Sequence, residues 1–151
     1  MKLGVLFVAL LVSISTLATA QISPSQRLTD SLSMMKKNVS RIAEPEEKAR
    51  WTANVALWEA KVAGKELPSG PLAAMKANVA KIDEKGEKAR WQANLSLWQM
   101  AASKNNDAKK ARALLADIKA IIGKLGPGPE RGRWQNNYKM WAIVIGGALD
   151  H

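Results

Sequence analysis

Three times along this 151-residue chain, one set of chemically capable side chains recurs in the same order. Glu47, Arg50, Trp51, Asn54 and Trp58 form the first set. Glu87, Arg90, Trp91, Asn94 and Trp98 follow forty residues on, and Glu130, Arg133, Trp134, Asn137 and Trp141 forty-three further. The shared pattern is E-x-x-R-W-x-x-N-x-x-[LM]-W, and it holds all six tryptophans of the protein. Residues of these types support three kinds of recognition. Carboxamides (Asn54, Asn94, Asn137) grasp polar ligands, guanidinium groups (Arg50, Arg90, Arg133) bind anions or stack on aromatic rings, and indoles stack on sugar rings or bases. These six Asn and Arg side chains are the candidate ligand- or partner-binding residues.

Each of these groups also has a plainer reading. Trp51 and Trp58, like Trp91 and Trp98 or Trp134 and Trp141, lie seven residues apart, two turns along one helical face. They therefore read first as core, each ring burying on the order of 200 Å². Each asparagine sits between its two tryptophans on that face, where a buried amide must find partners. An indole N–H or the backbone of a neighbouring helix would serve, making the asparagine a polar clamp on hairpin register. Glu and Arg three residues apart, as in Glu47 and Arg50, can pair on one helix surface for less than about 1 kcal/mol.

Catalysis finds little support. The one histidine is His151, the last residue of the sequence. Glu46 and Glu47, or Asp83 and Glu84, are adjacent pairs, which a helix points apart rather than at one substrate. No phosphate-binding glycine loop, nucleophile elbow or spaced metal-ligand set occurs, so neither an enzyme nor a cofactor or metal site is expected. With no cysteine, the chain has no disulfide, thiolate metal site or thiol nucleophile.

The elements that would position these side chains follow from periodicity. Upstream of each Trp motif lies a second repeated pattern: Met35-Lys36, Val39 and Ile42; Met75-Lys76, Val79 and Ile82; Ile118-Lys119, Ile122 and Leu125. Leu28, Leu32, Met35, Val39 and Ile42 are spaced four and three apart, which places one apolar stripe on a helix. Trp51, Val55, Trp58 and Val62 do the same downstream. Pro45 and Pro129 suit helix first turns, and Gly64 to Pro71 and Gly126 to Pro129 supply turns. Six helices are expected at about 24–43, 45–63, 70–84, 86–104, 107–125 and 129–148. The fold class is all-α: three tandem antiparallel hairpins (about 24–63, 70–104 and 107–148) in a single domain over 21–151. Such hairpins bury their faces only against neighbours, stacking as a short α-solenoid or closing into a compact six-helix bundle.

Residues 1–20 have the features of a signal peptide: Lys2, the apolar run Val5 to Val12, and Ala18-Thr19-Ala20 ahead of Gln21. Export to the periplasm or the extracellular space is expected. The remaining chain has 22 Lys and Arg against 13 Asp and Glu, a net charge of +9, and no other run long and apolar enough to span a membrane. Basic density peaks at Lys36-Lys37, at Lys109-Lys110-Arg112 and at Arg131 to Arg133. These features point to a non-catalytic binding or scaffold module for a protein, peptide or glycan partner, with no specific nucleic-acid recognition. A basic protein that binds anionic envelope polymers is the second reading, and an enzyme with an unfamiliar site built on the repeated Asn, Arg and Glu is the third. The apolar run from Met140 to Ile145 is either buried by the preceding helices or docks a second copy.

Overall fold

The structure, a computed structural model, describes residues 21–147. The expected signal peptide and the last four residues, Ala148 to His151, lie outside the described residues. Six helices follow in order: α1 (Pro24–Val39), α2 (Pro45–Val62), α3 (Ser69–Ala80), α4 (Lys85–Ala102), α5 (Ala108–Ile122) and α6 (Pro129–Gly147).

The odd-numbered helices are shorter than their apolar periodicity predicts. After Val39 the chain tightens into i→i−3 bonds, Arg41 N to Asn38 O at 3.1 Å and Ile42 N to Val39 O at 3.1 Å. The same turn recurs at Lys81–Ile82 and Lys124–Leu125. It keeps Ile42 and Ile82 buried, so the apolar stripe continues after the helix has ended. After the first two of these turns the chain runs directly into the cap of the next helix. Glu44 and Glu84 adopt extended backbone and accept bonds from the first N–H groups of α2 and α4.

Those caps are titratable. The backbone N–H of Glu47, then that of Glu46, bond the Glu44 carboxylate and hold its pKa below the ordinary 4.5. Glu87 and Gly86 do the same for Glu84. A pKa depressed by folding stabilises fully above the unfolded value and is lost as pH falls through the folded one. The double variant Glu44→Gln/Glu84→Gln should therefore be less stable than the parent at neutral pH. The gap should close as pH falls below about 4.5, the ordinary carboxylate value, in urea titrations across that range.

The first two hairpins are closed off alike, but with different residues. Gly64 (φ 65°) ends α2 in a Schellman turn, with Lys65 N bonded to Ala60 O and Gly64 N to Lys61 O. Forty residues later, Lys104 holds the same left-handed conformation (φ 55°), with Asn105 N bonded to Met100 O. A Cβ in this region costs about 1 kcal/mol or more. Lys104→Gly should thus raise stability by about 1 kcal/mol, read as a shift of the denaturation midpoint at unchanged slope.

The helices form a closed ring. Each packs on its neighbours in sequence, and α6 packs back on α1. This closure is the compact six-helix bundle, not an open superhelix. Within the ring, α2, α4 and α6 turn their tryptophan faces towards a common pseudo-threefold axis, and α1, α3 and α5 fill the gaps between them. Met35, Met75 and Ile118 of those outer helices are buried at corresponding positions.

Candidate functional site

The repeated side chains meet on the axis in layers, because residues 51, 54 and 58 and their counterparts share one helical face. Trp51, Trp91 and Trp134 form one triangle, with centroid separations of 4.9, 5.1 and 4.9 Å and edge-to-face packing. Trp58, Trp98 and Trp141 form a second, at 4.7, 4.7 and 4.5 Å. The rings are buried, no more than 2% exposed. Edge-to-face contact sets the positive rim of one ring on the negative face of the next, worth about 0.5–1.5 kcal/mol per pair beyond burial.

Between the triangles lies a closed ring of asparagines, each fully buried. Asn54 Nδ2 donates to Asn137 Oδ1 (3.0 Å), Asn137 Nδ2 to Asn94 Oδ1 (2.9 Å), and Asn94 Nδ2 to Asn54 Oδ1 (3.0 Å). Each oxygen also accepts an indole N–H: Trp58 on Asn137 (2.8 Å), Trp98 on Asn54 (2.8 Å) and Trp141 on Asn94 (2.9 Å). Two donors fill an amide oxygen. The remaining amide hydrogens of Asn54 and Asn94 face the sulfur atoms of Met35 and Met75 (3.6 and 3.9 Å). The third outer helix carries Ile118 at that position, so Asn137 has no such sulfur.

A third cyclic layer lies beyond the first Trp triangle. Arg50 pairs with Glu87 (2.5 Å), Arg90 with Glu130 (2.7 Å) and Arg133 with Glu47. The pairs join successive repeats and close the last onto the first, in place of the within-helix pairing that the three-residue spacing suggests. The geometric reason is that each guanidinium crosses the face of a tryptophan on the next inner helix: Arg50 over Trp91, Arg90 over Trp134 and Arg133 over Trp51, at 5.8–5.9 Å. Its own helix's glutamate is left for the preceding repeat. Arg50 and Arg133 also donate to Asn78 (2.8 Å) and Asn38 (3.3 Å). The corresponding residue in α5 is Ile121, so Arg90 makes no such bond. The three arginines are buried, and their Nε atoms have no partner.

All six candidate binding residues therefore converge on the axis, the amides bonded to one another and to indole N–H groups and the guanidinium groups paired with glutamates. Arg133, counted by sequence among the densest basic stretches, is buried within an ion pair, whereas Lys109, Lys110 and Arg112 are exposed on α5. No group of three or more His, Asp or Glu placed to hold a metal occurs among the described residues. In the apolar C-terminal run, Met140, Trp141 and Ile145 are buried, while Ala142 and Ile143 are only partly covered.

Sequence patterning misses one feature, the seam where α6 meets α1. Two adjoining grooves run along it, of about 640 and 550 Å³, and Met34 lines both. Met34 is 67% exposed. The signal was present in Met34-Met35, of which only Met35 fits the core stripe.

No protein-family model, curated protein or solved structure matches this chain.

Proposed function

We propose that the chain is an exported, non-catalytic binding module: a rigid helical ring that engages a protein, peptide or glycan partner with its outer surface. The observation that supports this reading is the mutual bonding of the repeated Asn, Arg, Glu and Trp side chains. The residues that could have built a polar active site are the framework of the ring, and this leaves the outer helices and seams to meet a partner. A rigid core suits that role, since a preorganised surface has little ordering entropy to lose on binding.

The second reading, attraction to an anionic envelope polymer, rests on the net charge of +9 of residues 21–151 and on exposed Lys36, Lys37, Lys109, Lys110 and Arg112. One titration separates the two. The labelled chain is mixed with isolated cell envelopes, and with glycan and peptide arrays, as salt rises from about 50 to 200 mM, a range over which binding by charge alone falls steeply. Retention through that range supports a shape-specific partner. Steep loss supports the polymer reading. Absence of binding in every arm, with turnover of a substrate by the purified chain, overturns both.

A further inference from the structure

The α1–α6 seam differs from its two counterparts in ways that the repeat makes comparable. Met34 of α1 corresponds to Ala74 in α3 and Asp117 in α5, and Ala142 of α6 to Glu59 in α2 and Gln99 in α4. The polar residues of the other seams are thus replaced by apolar ones. The first groove runs past Met34, Tyr138, Ala142 and Ile143, with Arg27 and Lys139 among its lining. Its one carboxylate, Asp30, is hydrogen-bonded to Gln26 (2.8 Å).

Beyond Met34 the character changes. The second groove is lined by Met34, Lys37, Asn38, Arg41, Pro129 and Arg133, and by no acidic residue. Lys37 and Arg41 are exposed and make no ion pair among the described residues. Arg133 is 7% exposed, paired with Glu47 through Nη2, and its Nε has no partner. The counterpart of this niche at the α2–α3 seam contains Arg50 and Lys81, but with Glu44, Glu46, Glu47, Asp83, Glu87 and Glu130 around them. Glu47, Glu87 and Glu130 recur around every seam, but Glu44, Glu46 and Asp83 correspond to Pro127, Pro129 and Ala43 at the α1–α6 seam, which therefore lacks three carboxylates.

The start of α6 accounts for part of that loss. At α2 and α4 the chain's own Glu44 and Glu84 put a carboxylate on the first N–H groups. The corresponding residue before α6 is Pro127, and Pro129 opens the helix. No side chain among the described residues accepts from the backbone N–H of Glu130 or Arg131. The positive end of this helix is left without the anion that the other two supply for themselves.

We propose that this seam binds a single long-chain carboxylate. The alkyl chain lies along Met34, Tyr138, Ala142 and Ile143, and the carboxylate rests on Lys37 and Arg41 beside the start of α6. A partly apolar channel leading to a niche in which Lys37 and Arg41 make no ion pair among the described residues matches an anionic amphiphile in polarity. A concave groove between two helices takes one chain, whereas a flat bilayer cannot follow it. The inference goes beyond the binding-module reading, since a long-chain carboxylate is neither a protein, a peptide nor a glycan.

The test uses laurate below its micelle concentration, titrated into the folded full chain by calorimetry and by NMR of methionine methyl and tyrosine ring signals. One laurate per chain is expected, with shifts at Met34 and at Tyr138, the only tyrosine. Dodecyl maltoside, dodecyltrimethylammonium and acetate should each bind much more weakly. Lys37→Glu/Arg41→Glu, both at exposed sites, should weaken laurate by about tenfold or more. Met34→Asp/Ala142→Gln, which imports residues from the other seams, should do likewise while circular dichroism stays unchanged. The proposal is overturned by tight binding of the neutral detergent, by unchanged laurate affinity in either variant, or by shifts elsewhere. Binding to phosphatidylglycerol vesicles without binding monomeric laurate also overturns it. Such a failure leaves the binding-module reading standing if the envelope or array experiment still finds a salt-resistant partner.

Discussion

Asn54→Ala is expected to lower stability by about 3–5 kcal/mol, the largest effect of any single polar substitution in this protein. Removing the amide takes the acceptor from Trp98 Nε1 and from Asn94 Nδ2, both in a dry interior. Each stranded donor costs about 1–3 kcal/mol, and the lost volume adds to this. Because the ring is cyclic, Asn94→Ala and Asn137→Ala should lose nearly the same amount, within about 1 kcal/mol. Urea denaturation of the three variants checks both statements. A ring in which one alanine variant is nearly neutral is not the closed network described above. Asn54→Asp sharpens the test. A protonated carboxyl can replace the amide, donating to Asn137 and accepting from Asn94 and Trp98, but a carboxylate cannot donate and is unpaired there. Burial raises the pKa of such an acid, so its stabilising form is complete below the unfolded value and lost as pH rises through the folded one. Relative to the parent at each pH, this variant should therefore weaken as pH rises.

A chain ending at Lys104, which keeps two complete hairpins, is expected not to fold. In an open solenoid, removing a terminal repeat takes away one interface and leaves the rest cooperative. Here the third repeat touches both others. Its loss opens both Trp triangles, removes the acceptor of Trp58 Nε1 and Asn54 Nδ2, and breaks the ion pairs of Glu47 and Arg90. It also uncovers the faces of α1 and α4 that pack on α6 and α5. No disulfide compensates, since the chain has no cysteine. The truncated chain should show reduced helicity by circular dichroism, no cooperative thermal transition and collapsed NMR dispersion. A sharp melt with well-dispersed signals would show that two repeats suffice and that ring closure contributes little.

These two expectations separate what a one-dimensional reading can know from what it cannot. The four-and-three spacing of apolar residues is a property of a single helix, so six helices and their buried faces were legible from the chain alone. The burial of Trp51, Trp58 and their counterparts was legible for the same reason, and the threefold recurrence disclosed three equivalent hairpins. Helix ends were less legible. A single i→i−3 turn carries Ile42 and Ile82 on the apolar stripe after the hydrogen-bonded helix has stopped.

The partner of each repeated polar group was not legible, because a periodic sequence is equally compatible with a line and a circle. Glu47 is three residues from Arg50 along the chain, yet its partner is Arg133, eighty-six residues away. Only the closure of α6 on α1 decides this, by bringing three tryptophan faces to one axis, where each amide oxygen accepts both the amide and the indole N–H of the next repeat. The same closure creates the α1–α6 seam. Met34, Lys37 and Arg41 are ordinary surface residues on α1 alone, and become the lining of a groove only when the last helix of the chain lies beside the first.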